Sequence, residues 1–312
     1  MRNNSKYPSI SAADLSQWLR EKKNCIIIDI LPQDHFNKVH LPSSRNACVF
    51  EVSFVEQVRQ ITIQKDAVIV LCGFNAKTMD SLTAAEKLLR AGYTNISILS
   101  GGLEGWREKR LPLEGSSPET IEKGNSTLKL FDGKYTINSD GSSIIWTGRN
   151  PNSSHFGNVS IIGGSLKVAD TIITGNFGID MESITNINLE GDELQPVLIE
   201  HLKSDDFFDT GLFPMASFEI TDSRISPEPY VTTPNVDISG KLSLRGIQSE
   251  QSFPATIVST EEGLRLESHF DLDRTRWNII YGSARFFEHL GMHTVFDLIS
   301  IQLRLTALRK SE

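Results

Sequence analysis

Near residue 115 the hydrophobic period of this chain changes, and that change limits the fold more than any single motif. Upstream, short unbroken apolar runs alternate with segments of helical period. Downstream, apolar and polar residues alternate in many short runs separated by turn residues. A period of two marks a strand with one buried face, whereas an unbroken β-branched run marks a strand covered on both faces. A chain with both patterns in series needs two domains, and 312 residues suffices for two of ordinary size.

The upstream part reads as alternating strands and helices. "SISAADLSQWLREKK" has Ser9 or Ser11 as N-cap and sets Leu15, Trp18 and Leu19 on one helical face. "CIIIDI" (25–30), "DAVIVLC" (66–72) and "NISILSGG" (95–102) read as strands. "SLTAAEKLLRAGY" is a helix with Leu82, Ala85, Leu88 and Leu89 on its apolar side, stopped by Gly92. "GLEGWREKR" is a last short helix. Such alternation predicts a parallel sheet with helices on both faces. In these sheets ligands sit beyond the C-terminal strand ends, and Cys72 stands at one.

"LEGSSPETIEKGNST" turns abruptly to Ser, Glu and Gly, which sets a linker at 115–126 between domains at 1–114 and 127–312. Nine β-rich runs follow, from "LKLFDGKYTI" to "ISIQLRLTAL", with helical interruptions expected near 196–206 and 286–291. This pattern predicts an antiparallel barrel or sandwich. About eight strands close a barrel that holds one slender ligand or is filled by its own side chains. Alternation groups Ala216, Phe218 and Ile220, then Leu242 and Leu244, then Ile301, Leu303 and Leu305 on inward faces; Ile145, Phe177 and Ile179 are further lining candidates. These residues either line a pocket or fill a solid core.

The charge is uneven, and it limits the partners. Residues 1–114 hold 15 Lys and Arg against 12 Asp and Glu, and the remainder holds 16 against 27. An acidic second domain disfavours nucleic acid and anionic membrane surfaces. No run approaches a membrane span, and the N-terminus has no apolar leader core, so a cytoplasmic protein without membrane insertion is expected. Cys25, Cys48 and Cys72 make neither a disulfide framework nor a zinc pattern. Asp205, Asp206 and Asp209 read as helix-end caps, and His289 and His293 lack a third ligand, so no metal is expected. No phosphate loop or Ser-His-Asp order stands out, and no cofactor is expected.

Two resemblances sharpen this reading. Residues 8–115 resemble a rhodanese domain, through "IIIDILPQDHFNKVHLPSSRNACVF", "VIVLC", "AAEKLLRAGYTNISILSGGLEGWREKRLPLEG", Asp29, His40-Leu41-Pro42 and the Gly101-Gly102…Trp106…Leu111-Pro112 ending. The resemblance implies an α/β rhodanese fold and a cysteine that takes a sulfane sulfur as a persulfide, between a donor and an acceptor. Its site would be a loop of backbone N–H groups opening on a helix N-terminus, an arrangement that lowers a thiol pKa. Cys72 is the cysteine so placed, with Lys77 and Thr78 assisting. The loop departs from the common Cys-x-x-Gly-x-Arg/Thr-Ser form. Lys77 stands where Arg or Thr is usual, the Gly is missing, and Leu31 and Val39 replace an Arg and a Gly. A second register would put Gly73 at the nucleophile position. Two readings therefore stay open, a sulfurtransferase and a non-catalytic interaction module.

Residues 128–308 resemble the lipid-binding YceI-like family, through "YTINSDGSSIIWTGR", "GNFGIDMESITN", "HLKSDDFFDTGLFPMASFEIT", "ISGKLSLRGIQSEQSFPATI" and "FDLDRTRWNIIYGS". That resemblance implies an all-β lipocalin-like barrel whose interior takes an isoprenoid or other lipid chain. The lining candidates for it are Ile145, Phe177, Ile179, Phe218, Leu242, Leu244 and Leu303.

Overall fold

Two units, residues 1–123 and 124–312, make up the chain; the computed structural model describes residues 7–119 and 127–310 of it. The first is built from β1 (Ser9–Ile10), α1 (Ala12–Arg20), β2 (Ile26–Asp29), α2 (Gln33–Lys38), β3 (Arg45–Asn46), α3 (Phe54–Ile61), β4 (Ile69–Cys72), α4 (Asp80–Arg90), β5 (Ile96–Leu99) and α5 (Gly102–Glu108). Its strands are all parallel, in the order β1-β5-β4-β2-β3. Successive residues of a strand serve opposite layers. Ile28, Ile69 and Leu71 pack with Phe54, Val58, Ala84 and Leu88 of α3 and α4. Ile27, Val70 and Cys72 pack with Leu15, Leu103 and Trp106 of α1 and α5. Each such Leu, Ile or Phe contributes ~1.5–3 kcal/mol by burial. The unbroken apolar runs are thus the sequence of a doubly covered sheet.

Local signals hold the ends. Ser11 caps α1 by accepting from Asp14 N at 3.1 Å, and Gly92, at φ +89°, ends α4. The Gly101-Gly102 pair lets α5 press onto the loop after β4. A Cβ on Gly102 would lie 2.4 Å from Gly73 O, and Leu103 N and Glu104 N donate to the carbonyls of Gly73 and Phe74 at 2.9 and 3.0 Å. His40 and Glu114 exchange both backbone hydrogen bonds, and Trp106 Nε1 donates to Pro112 O at 2.8 Å. Ser116 N and Ser117 N donate to Asn37 O and Lys38 O, so the first expected linker residues are tied to α2. The rest of that stretch, from 120 to 126, lies outside the described residues.

The second unit contains β6 (Gly133–Ile137), β7 (Ser143–Arg149), β8 (Ser154–Ala169), β9 (Ile172–Asp180), α6 (Leu194–Lys203), β10 (Met215–Ile225), β11 (Val236–Leu244), β12 (Ile247–Ser259), β13 (Gly263–Asp273) and β14 (Leu298–Arg309). The strands pair antiparallel in sequence from β8 to β14. β6 and β7 both bridge β14 and β8: β6 pairs with the end of β8 and β7 with its start. They share one position, which closes an eight-stranded barrel. Pro254, which has no N–H to donate, stands where β12 and β13 part; their pairing begins at Thr256 and Glu267.

Two long connections, 181–214 and 274–297, crowd one barrel end. α6 is the helix expected near 196–206, with Pro196 accommodated in its first turn. The helical turn expected near 286–291 does not form. His289 and Gly291 are at φ +56° and +55°, and a three-residue 3₁₀ turn follows at Gly291–His293. What fixes the 274–297 connection is Arg274, only 1% exposed. Its guanidinium donates to the carbonyls of Ile279, Tyr281, Val295 and Phe296 at 2.5 to 3.1 Å.

Candidate functional site

In the first unit the loop between β4 and α4 is the place where the fold would put chemistry. Cys72 is the last residue of β4, and its side chain belongs to the apolar layer under α1 and α5 rather than to the loop. The thiol is fully buried, with Gly73 O at 3.7 Å. Burial pushes its pKa well above the usual thiol value, and the carboxylates of Asp29 and Asp80 push it in the same direction. A thiolate is the reactive form, so this environment suppresses nucleophilicity. Lys77 and Thr78 sit on the exposed loop, where their backbone N–H groups donate to Asn75 Oδ1 at 2.8 and 3.2 Å. Neither is a hydrogen-bond partner of the thiol.

The loop's anion cradle exists, and Asp80 fills it. Phe74 N donates to Asp80 Oδ2 at 2.8 Å, while Ser81 N and Thr78 Oγ1 donate to Asp80 Oδ1 at 2.6 and 2.9 Å. Residue 73 faces this carboxylate: a Cβ built on Gly73 would lie 2.4 Å from Asp80 Oδ1 and from Ser81 Oγ. The position aimed into the cradle is therefore 73, which has no side chain. Asp29, fully buried beside Cys72, accepts from Leu31 N at 3.0 Å through one oxygen, and its other oxygen has no hydrogen-bond partner. Desolvation, opposed by that hydrogen bond and reinforced by Asp80, raises its pKa to about 7.

In the barrel the candidate site is an internal cavity of about 100 Å³ with apolar walls, Gln251 being the one polar residue among them. Phe177, Ile179, Ala216, Phe218, Leu242, Leu244, Ile301 and Leu303 all line it. Ile145 does not. It projects from the other face of β7, half-exposed, while its neighbours Ile144 and Trp146 point inward. The pleat has a period of two, so a lining assigned one residue off lands outside. Sequence reasoning also missed Trp146, Met181, Phe253, Phe270 and Ile299. Alternation in "SIIWTG" would have found Trp146; Met181, one residue past the end of β9, has no periodic signal.

Trp146, Phe208 and Ile299 are shared walls with a second space of about 250 Å³ at the crowded end. There His201 meets Phe207 and Tyr281 edge-on, at ring-centre distances of 4.9 and 4.7 Å, and Tyr281 Oη lies 3.4 Å from His293 Nδ1. Asp206, read from sequence as a cap, accepts from or pairs with His201 Nε2 at 3.1 Å. Phe253 and Phe270 stack at 4.4 Å. Among the described residues no group of three or more His, Cys, Asp or Glu is arranged to hold a metal, and no helix is long and apolar enough to cross a membrane.

Comparison with known proteins follows this division. A family model for the YceI-like domain matches residues 135–307, and one for the rhodanese-like domain matches residues 11–109. Among curated proteins, the adenylyltransferase and sulfurtransferase UBA4 of Candida albicans is 31% identical over 104 residues, 32% of this chain and 23% of that protein. The uncharacterized protein YibN of Escherichia coli is 26% identical over 95 residues, 30% of this chain and 64% of that one. The chain thus spans about a quarter and under two thirds of these relatives' lengths. Among solved structures, BcnA of Burkholderia cenocepacia has a TM-score of 0.43 at 15% identity, covering 54% of this chain and 98% of its own. A polyisoprenoid binding domain from Saccharophagus degradans has a TM-score of 0.42 at 10% identity, covering 56% and 98%. With the family match spanning more than half of its length, the chain belongs to the YceI-like family and carries a rhodanese-like domain ahead of the barrel.

Proposed function

We propose that this protein binds a long apolar chain, of the isoprenoid class that its sequence resemblance implies, inside the barrel, and that its rhodanese-like domain is a non-catalytic contact module. The observation that carries the reading is the cavity between the strands, with its apolar walls of Phe, Ile, Leu, Trp and Met. Each CH₂ buried in such a space contributes ~0.8 kcal/mol, so a slender hydrocarbon gains with every unit seated in this cavity and in the 250 Å³ space that shares its walls. A sugar or nucleotide would leave hydroxyls unpartnered at about 1–3 kcal/mol each.

The occupied loop supports the second half of the reading. A sulfurtransferase needs a thiolate in the cradle, whereas here Asp80 takes the N–H donors and Cys72 packs into the opposite layer. Three free cysteines suit a reducing compartment, in keeping with a cytoplasmic location. The test uses one preparation of the full chain. Organic extraction followed by mass spectrometry is expected to release a prenyl or fatty chain. Retention is expected to vanish in Ala216→Phe, which fills the cavity without adding charge. Intact mass after thiosulfate is expected to show no sulfur adduct. Absence of any extractable chain would overturn the first half, and a persulfide mapped to Cys72 would overturn the second.

A further inference from the structure

We infer that the crowded end of the barrel docks on a bilayer surface of uncharged, zwitterionic headgroups, and that lipid enters the cavity there. The inference rests on the lipid-binding reading and goes beyond it to the route of loading. Large apolar side chains are strongly exposed on both long connections of that end. Leu194, Val197 and Leu212 are 61, 59 and 74% exposed on the 181–214 connection; Phe286, Met292 and Phe296 are 52, 88 and 46% exposed on the 274–297 connection. Exposure of six large apolar side chains on the two connections of one barrel end points to an interaction surface.

The position of these residues identifies the occupant. Met292 and Phe296 line the 250 Å³ space that shares Trp146, Phe208 and Ile299 with the inner cavity, so exposed apolar side chains stand at the way in. The opposite end is closed by short turns at 170–171 and 260–262 and by the 226–235 loop, where Asn235 is fully buried and bonded to Tyr230 O and Ile257 O. A hydrocarbon tail that leaves a bilayer through water exposes all of its apolar surface; a rim seated in the headgroup layer lets it pass without that exposure. A covering protein would have no need of a lipid passage at the centre of its footprint.

Charge selects the kind of surface. The two connections carry ten Asp and Glu against four Lys and Arg, and one of the four, Arg274, is buried on backbone carbonyls. Such a rim is repelled by anionic lipid, and salt screens the repulsion. A zwitterionic surface offers the apolar contact without that opposition.

The experiment is flotation of the full chain with vesicles. Binding to pure phosphatidylcholine vesicles is expected, falling at least threefold at 30% phosphatidylglycerol and recovering in high salt. Leu194→Asp with Val197→Asp is expected to weaken flotation at least tenfold, and Leu212→Asp, later in the same connection, to weaken it severalfold. None of these three residues lines the cavity, so lipid supplied in detergent is expected to load to the parent level, while uptake from vesicles is expected to fall in step with flotation; uptake from vesicles at the parent rate would overturn the loading route. A parent that carries lipid but does not float, variants that float like the parent, or flotation that rises with phosphatidylglycerol would each overturn the inference. Absence of extractable chain with flotation intact would instead overturn the lipid-binding reading beneath it.

Discussion

Thiol accessibility gives the sharpest check on the rhodanese-like domain. Cys72 exposes none of its surface, Cys48 4%, and Cys25 is only half-buried at the start of its strand. To reach Cys72 a reagent needs α1 or α5 to lift, breaking the layer made with Leu15, Leu103 and Trp106. Openings that expose a core position cost a large share of the global stability, itself about 5–15 kcal/mol. At ~5 kcal/mol, with ~1.4 kcal/mol per decade, alkylation slows by between three and four orders of magnitude. The raised thiol pKa slows it further. Pulsed iodoacetamide at pH 8 with peptide mass spectrometry reads all three sites at once. Cys25 is expected first, and Cys72 at its unfolded-state rate only in guanidinium. Alkylation of native Cys72 within tenfold of Cys25 would refute the reasoning, because a thiol buried in the α1–α5 layer cannot react that fast.

Asp29 titrates in an unusual direction. Its folded pKa is raised to about 7 from 3.8, so the native state holds the proton that the unfolded state has lost. The associated stability is full below pH ~4 and is lost as pH rises to ~7, a change of roughly a few kcal/mol. Asp29→Asn is expected to flatten the denaturation midpoint between pH 5 and 8, and an unchanged slope would contradict the assignment. Arg274→Met leaves four backbone carbonyls without their donor and is expected to cost about 3–5 kcal/mol, read as a fall of roughly 10 °C in the barrel's melting temperature; a fall under 2 °C would show that solvent reaches those groups. Limited proteolysis is expected to cut first between Pro118 and Thr127 and leave two folded pieces, because Ser116 and Ser117 are bonded to α2 and Ile121 is the one aliphatic residue of the sequence beyond. An initial cut inside either unit would contradict this boundary.

The fold was legible where packing writes itself into period. The runs at 26–29, 69–72 and 96–99 announced a covered sheet, and alternation located the barrel strands to within a few residues. The misses have physical reasons. β1 and β3 are two-residue edge strands, too short to carry a period, and α3 shows its face only through Phe54 and Val58. Ile145 was misplaced because, of two adjacent isoleucines, it is Ile144 that shares the parity of Trp146 and turns inward. At the loop, the rhodanese-like signatures were readable, but the role of Asp80 was not. An Asp at a helix start reads as a cap, and its reach to Phe74 N depends on the path of the loop. The burial of Cys72 follows from parity: with Val70 on the α1–α5 side, residue 72 is on that side too.

The carboxylate of Asp80 also changes how the loop answers to its surroundings. A cradle that waits for a dissolved anion is ordered by mass action, and its stability climbs with ligand concentration as RT ln(1 + [L]/Kd). Here the anion is covalently part of the chain, six residues from the N–H of Phe74 that it accepts from. Its effective concentration is fixed by the chain itself, and a competing solute has to match that figure before it gains a foothold. The β4–α4 loop is therefore filled at infinite dilution, by a carboxylate of its own chain.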